Sequence, residues 1–212
     1  MRKKGDWTRK ELEEEILSNY RAATIPVDIR FVGKNWILDM TAVEKMLRSA
    51  RLISLMNCEC RQTVEGCHRP LHVCIRLDSD AKNAIKTQGA KKVGLREALA
   101  ALRIAHEAGL VHMAYLEKGK KRPLVICSCC SCCCGTLSAL VRFGYKDAVV
   151  RSDKIAVQQP ELCDDCGECV PRCQFKARQI TRGKLKYESA KCFGCGVCLS
   201  SCPTGAITLV AR

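Results

Sequence analysis

Apolar positions along the chain recur at helical spacing in some stretches and in short extended runs in others, and this pattern predicts the elements. Thr8-x-x-Glu11 reads as a capping box opening an N-terminal helix to about Ala23, with Leu12 and Ile16 on one face and Pro26 ending it. Residues 27–38 read as extended, with a turn at Gly33-Lys34-Asn35. Thr41-x-x-Glu44 opens a second helix whose Val43, Met46, Leu47, Ala50 and Ile53 form an apolar stripe, so this helix is expected to deliver the chain directly to Cys58. Further on, 71–77 reads as a strand, 79–87 as a short helix and 95–108 as a longer one with Gly109 as its C-cap. Residues 110–116 and 124–126 read as strands flanking a basic turn, and 136–143 as a last helix stopped by Gly144. A linker is expected at about 150–160, dividing the chain into domains over 1–150 and 151–212.

Composition changes this picture in one respect. Of 212 residues, 18 are cysteine, roughly one in twelve and far above ordinary usage. A 47% apolar content supports a core. No apolar run approaches the roughly 20 residues that span a bilayer, and the basic start is not followed by a signal-peptide core, so the expected location is cytoplasmic. Thiols stay reduced there, and neighbours such as Cys129-Cys130 and Cys132-Cys133-Cys134 cannot bridge without strain. Metal is the better use for these thiolates.

The last fifty residues carry Cys163-x2-Cys166-x2-Cys169-x3-Cys173 and then Cys192-x2-Cys195-x2-Cys198-x3-Cys202-Pro203, two copies offset by 29 residues. This segment resembles the bacterial-type dicluster ferredoxin with two [4Fe-4S] clusters. The resemblance implies a ferredoxin-type C-terminal domain in which the fourth cysteine of each run crosses to the other cluster. Carried over, Cys163, Cys166, Cys169 and Cys202 hold cluster 1, and Cys192, Cys195, Cys198 and Cys173 hold cluster 2. Gly167, Gly194 and Gly196 suit a backbone wrapped round an inorganic core. The first copy departs from the family pattern, because Gln174-Phe175 follows Cys173 where proline is usual, and a weakened local turn is expected there. Zinc on paired Cys-x2-Cys knuckles is the alternative, but a tetrahedral ion would leave thiols idle. The fold class is therefore α+β: a mixed α/β cysteine-rich N-terminal domain followed by a ferredoxin-type dicluster domain.

Ten cysteines lie upstream: Cys58, Cys60, Cys67 and Cys74, then Cys127, Cys129, Cys130, Cys132, Cys133 and Cys134. They are similar to cysteine-rich modules that precede dicluster ferredoxin domains in anaerobes. One or two additional [4Fe-4S] clusters are expected, one on the first four and one within the second run, with exchange between the groups left open. Zinc on these thiols, and burial of some as small hydrophobes, are the competing readings. His68 and His72 read as solvated or supporting imidazoles, since Pro70 opposes a helix presenting both. His106 and His112 need no special role.

A formal charge of +14 raises nucleic-acid binding, and helix, extended pair, helix admits a winged-helix guess. Each cluster with its thiolates brings about −2, so two reduce the excess to about +10 and four to about +6, and nucleic acid drops out as the favoured partner. Patches at Lys118–Arg122 and Lys91-Lys92 read as solvated turns. No nucleotide loop or nucleophilic triad is evident. The chain reads as an anaerobic electron-transfer protein or subunit, an electron carrier rather than a stand-alone enzyme, relaying single electrons to or from an oxidoreductase with an acidic docking surface. A second reading gives the upstream cysteines an open catalytic cluster. In it Cys133-Cys134-Gly135 resembles, in one short copy, the CCG motif of heterodisulfide reductase subunits. A third is an iron-sulfur redox-sensing DNA-binding regulator.

Overall fold

The computed structural model describes residues 5–24, 28–32, 35–39, 41–117 and 123–212. Helix α1 (Arg9–Glu11) opens on the expected capping box, Thr8 accepting from the Glu11 N–H, and widens into π-helical turns over Leu12–Leu17. It stops well short of Ala23. Asn19 folds back onto the Glu14 and Glu15 carbonyls, and the chain turns into strand β1 (Tyr20–Thr24). Local helix propensity yields there to sheet pairing with partners about 90 and 127 residues away, which no window of sequence displays. Strands β2 (Asp28–Val32) and β3 (Asn35–Asp39) form an antiparallel hairpin in the region read as extended. Pro26, Gly33, Lys34 and the 118–122 patch lie outside the described residues.

Helix α2 (Thr41–Ser49) buries Val43 and Leu47, but Ile53 is not part of its stripe. Ile53 begins strand β4 (Ile53–Asn57), which stands between that helix and Cys58. Helix α3 (Glu59–Val64), strand β5 (His72–Leu77), helix α4 (Asp78–Thr87), strand β6 (Lys91–Lys92) and helix α5 (Leu95–Glu107) follow. Strands β7 (Val111–Glu117) and β8 (Val125–Cys129) then lead to helix α6 (Gly135–Val141) and the short strand β9 (Val149–Val150). Strand β8 runs three residues beyond the expected 124–126, so the second cysteine run starts inside it, at Cys127.

A seven-stranded sheet in the order β6-β4-β5-β8-β7-β1-β9 organises these elements, antiparallel except where β1 meets β9. The side-chain period of two assigns its faces. One face carries Ile75, Leu77 and Ile126 against Val43 and Leu47 of α2 and Ala98 and Leu102 of α5. The other carries Met113 and Cys129 against Trp7, Leu12 and Leu137.

The 150–160 stretch is structured rather than a free linker. It contains strand β10 (Lys154–Gln158), which pairs with the last strand, β13 (Ile207–Ala211), while β11 (Arg178–Thr181) pairs with β12 (Lys184–Tyr187). These two small antiparallel sheets, one closing the ends of the segment and one a hairpin in its middle, carry the two C-terminal cysteine runs. Phe175, Phe193 and Val197 of that segment pack into the same core as Trp7 and Leu137, so the two parts share apolar burial. No helix among the described residues is long and apolar enough to cross a membrane.

Candidate metal centres

Strand alternation sorts the upstream cysteines differently from their order in sequence. On β8, Cys127 and Cys129 fall on one face, and in the β5–β8 register, where Ile75 faces Ile126, Cys74 comes alongside Cys127. Cys58 stands at the start of α3 with Cys60 in its first turn, and Cys134 stands at the start of α6. These six thiols line one cavity of about 300 Å³ together with Arg61, Arg76 and Tyr115.

Cys67 leaves this group. It sits in the loop between α3 and β5, and its sulfur lies 3.9 Å from that of Cys130 and 3.8 Å from that of Cys133, with Cys132 3.8 Å from Cys133. All four sulfurs fall within 4.8 Å of one another. The expected division, Cys58, Cys60, Cys67 and Cys74 against the 127–134 run, is therefore not the one the fold assembles. The sheet intervenes: Cys130 follows β8 on the α5 side, packed with Val73, Ala105 and Leu110, while Cys127 and Cys129 face the opposite way.

The six-thiol cavity is electrostatically prepared for a cationic, thiolate-bound group. Hydrogen bonds from Cys129 and Cys74 draw the Cys127 thiol well below its usual value, Cys60 draws Cys58 down to about 7, and Cys129 lowers Cys134. Three of the six are thereby biased toward the thiolate that metals bind, while the same hydrogen bonds, together with burial, hold Cys60, Cys74 and Cys129 well above the usual value. Burial opposes the charge of Arg61 and Arg76, but Cys58 and Cys130 beside the first, and Cys74 and Cys127 beside the second, outweigh it and hold both guanidiniums protonated. Nε and Nη2 of Arg61 and Nε of Arg76 are buried without a hydrogen-bond partner. Such donors are costly unless an acceptor meets them, and the sulfides and thiolates of a cluster are acceptors of that kind. The Tyr115 hydroxyl is 3.5 Å from the Cys134 sulfur and 3.7 Å from that of Cys129. Sequence reasoning passed over these arginines, although Arg61 directly follows Cys58-Glu59-Cys60 and Arg76 stands two residues past Cys74.

In the C-terminal segment Cys163, Cys166 and Cys169 line a small cavity with Cys202, which arrives from the second run. Cys198 is buried and Cys195 half-buried, and both are within electrostatic reach of Cys192 and of Cys173 from the first run. Burial pushes both thiols up, Cys198 to about 12, with Arg178 pulling the latter back. Buried thiolates need a cation, and Arg178 is the protein's own contribution. Its guanidinium lies over the Tyr187 ring at 4.3 Å, donates to Gln158 at 2.9 Å and reaches both Cys169 and Cys198, while its Nη2 is buried without a partner. Backbone N–H groups also address sulfur: Ala177 donates to Cys173 at 3.2 Å and Gly194 to Cys192 at 3.4 Å. These donor sets fit [4Fe-4S] clusters.

The Gln174-Phe175 departure has a structural reason other than a weakened turn. Phe175 stacks on Phe193 with centroids 4.4 Å apart and planes 7° from parallel. The pair belongs to the core that also contains Cys129 and Cys134, with Cys173 and Cys195 packed against it. A proline at 174, the position that Pro203 holds in the second run, would forfeit the hydrogen bonds of the Gln174 side chain to Ser131 and to the Gly109 carbonyl.

The comparisons with known proteins agree with the C-terminal geometry. Residues 162–207 match the family model described as a 4Fe-4S dicluster domain. Over 62 residues the chain is 40% identical to an uncharacterized protein of Methanothermobacter thermautotrophicus, covering 29% of this chain and 14% of that protein. Over 58 residues it is 41% identical to indolepyruvate oxidoreductase subunit IorA of the same organism, covering 27% of this chain and 9% of that one. The chain thus matches only a small part of each relative's length. Its C-terminal segment is an iron-sulfur domain of the dicluster ferredoxin type that holds two [4Fe-4S] clusters, and a cysteine-rich region precedes it.

Proposed function

We propose that the protein is a low-potential electron-transfer protein or subunit in which a third iron-sulfur cluster, in the six-thiol cavity, is wired to the two C-terminal clusters. In the C-terminal domain Cys163, Cys166, Cys169 and Cys202 hold one cluster and Cys192, Cys195, Cys198 and Cys173 the other. In the N-terminal part the third cluster takes its four thiolate ligands from among Cys58, Cys60, Cys74, Cys127, Cys129 and Cys134. The observation that carries this reading is the cavity itself: six thiols and three unpartnered guanidinium N–H groups surround about 300 Å³ of space.

Bound clusters supply one-electron transfer at potentials set by hydrogen bonds to sulfur, net charge and exposure. The chain's residues do the rest. Arg61, Arg76 and Arg178 bring positive charge to the thiolates and favour the more negative, reduced state. Phe175 and Phe193 are buried in the core that Cys173 and Cys195 of the second C-terminal set share with Cys129 and Cys134 of the upstream cavity. The overall charge of +14 favours an acidic docking face on the partner, proposed here to be an oxidoreductase. The name of the IorA relative supports that class of partner, through a shared segment alone.

Cys127→Ser in the full chain, prepared without oxygen, tests the reading. Loss of about four iron and four sulfide per chain is expected, the two C-terminal clusters staying intact. Iron content equal to the unmodified protein's would overturn the third cluster.

A further inference from the structure

The remaining four upstream thiols are spaced too closely for a cluster. An ion bound tetrahedrally at about 2.3 Å by four thiolates holds its sulfurs about 3.8 Å apart. A cubane, with four irons at its corners, spreads its four thiolate sulfurs to roughly 6.5 Å. Between Cys67, Cys130, Cys132 and Cys133 the close sulfur pairs measure 3.8, 3.8 and 3.9 Å, and no pair exceeds 4.8 Å. The same molecule provides the yardstick. Among the described residues no three of the eight C-terminal cysteines, nor of the six around the upstream cavity, come within that limit of one another.

We propose that Cys67, Cys130, Cys132 and Cys133 bind a single zinc ion. Four protein sulfurs complete the tetrahedron and leave no open position, the arrangement of a structural rather than a catalytic site. Cys130 and Cys133 are fully buried. The net charge of about −2 on a zinc with four thiolates is met by Arg69, whose Nη1 is 3.8 Å from the Cys132 sulfur, and by Arg61, whose Nη1 is 4.0 Å from that of Cys130. Gly66 permits the approach of the Cys67 loop, since a Cβ there would stand 3.2 Å from the Cys133 sulfur.

The ion ties the loop after α3 to the turn between β8 and α6. That turn also holds Ser131, which bonds Gln174 of the C-terminal segment, so the zinc fixes the turn on which the two domains meet. Zinc has no redox chemistry and takes no part in electron flow. The zinc assignment does not rest on the electron-transfer reading; only the Cys127→Ser comparison draws on the third cluster of that reading.

The test uses the full chain, expressed with both iron and zinc supplied and purified without oxygen. About one zinc per chain is expected, with four sulfurs at about 2.3 Å and no iron neighbour in the zinc-edge absorption spectrum. Cys132→Ser should lower zinc retained after chelator challenge at least tenfold while iron and sulfide stay unchanged. Cys127→Ser should do the reverse. Absence of zinc from the unmodified protein, or loss of iron with Cys132→Ser, overturns the proposal. If Cys132→Ser does not fold, the zinc-edge spectrum of the unmodified protein decides alone.

Discussion

The side-chain oxygen of Gln174 accepts hydrogen bonds from both the backbone N–H and the hydroxyl of Ser131, at 3.0 and 3.1 Å. The first residue after a ferredoxin cysteine run thereby holds the turn between Cys130 and Cys132. Its amide nitrogen donates to the Gly109 carbonyl at 3.0 Å, so one side chain reaches two segments upstream of the ferredoxin-type region.

Gln174→Ala removes all three bonds from a buried residue and leaves the Ser131 N–H and Gly109 carbonyl without these partners. A loss of about 2–3 kcal/mol of stability is expected, with C-terminal iron retained. Chemical denaturation of the anaerobic protein, followed with iron analysis, checks both parts.

Arg178 lies between the two C-terminal cysteine sets, so its charge acts on both. Replacing it by glutamine removes the positive charge that favours the reduced state, and both potentials should become more negative. If the lost interaction is worth about 1.4 kcal/mol, the shift is about 60 mV for a one-electron couple. A spectroscopic redox titration measures it.

Gly194 has φ +68°, and a Cβ there would lie 2.0 Å from the Lys154 carbonyl oxygen and 2.3 Å from the Ser152 hydroxyl. Both the conformation and the space exclude alanine. Gly194→Ala should displace the Cys192–Cys195 loop from β10 and cost about four iron per chain. Iron and sulfide analysis settles it.

His106 and His112 are buried, with rings stacked at 5.9 Å, and burial lowers their pKa values to about 4 and about 3. Unfolded imidazoles protonate first, near 6.5, so the stability they confer is complete above that pH and falls as pH drops toward 4. His106→Gln should lose about 2 kcal/mol less than the unmodified protein between pH 7 and pH 5. Denaturant midpoints at the two pH values give the comparison.

The dicluster character of the C-terminal segment was legible in sequence because each cysteine run lies on one local loop, whereas the crossing of Cys173 and Cys202 is what the family resemblance implies. The upstream grouping was not. It depends on which strands become neighbours, and on a period of two that separates Cys127 and Cys129 from Cys130. Strand β1 was hidden for a related reason: residues 20–24 are strand only because β7 and β9 flank them. The role of Gln174 and Phe175 was visible only as a departure from pattern, since its cause is a seam between distant segments.

The central claim, that this chain stores and passes single electrons through three clusters, is met most directly by reductive titration of the anaerobically prepared full chain with a low-potential one-electron donor. Uptake of about three electrons per chain is expected, each giving a paramagnetic cluster signal, the third absent in Cys127→Ser. Uptake of two or fewer, unchanged by Cys127→Ser, would contradict the account.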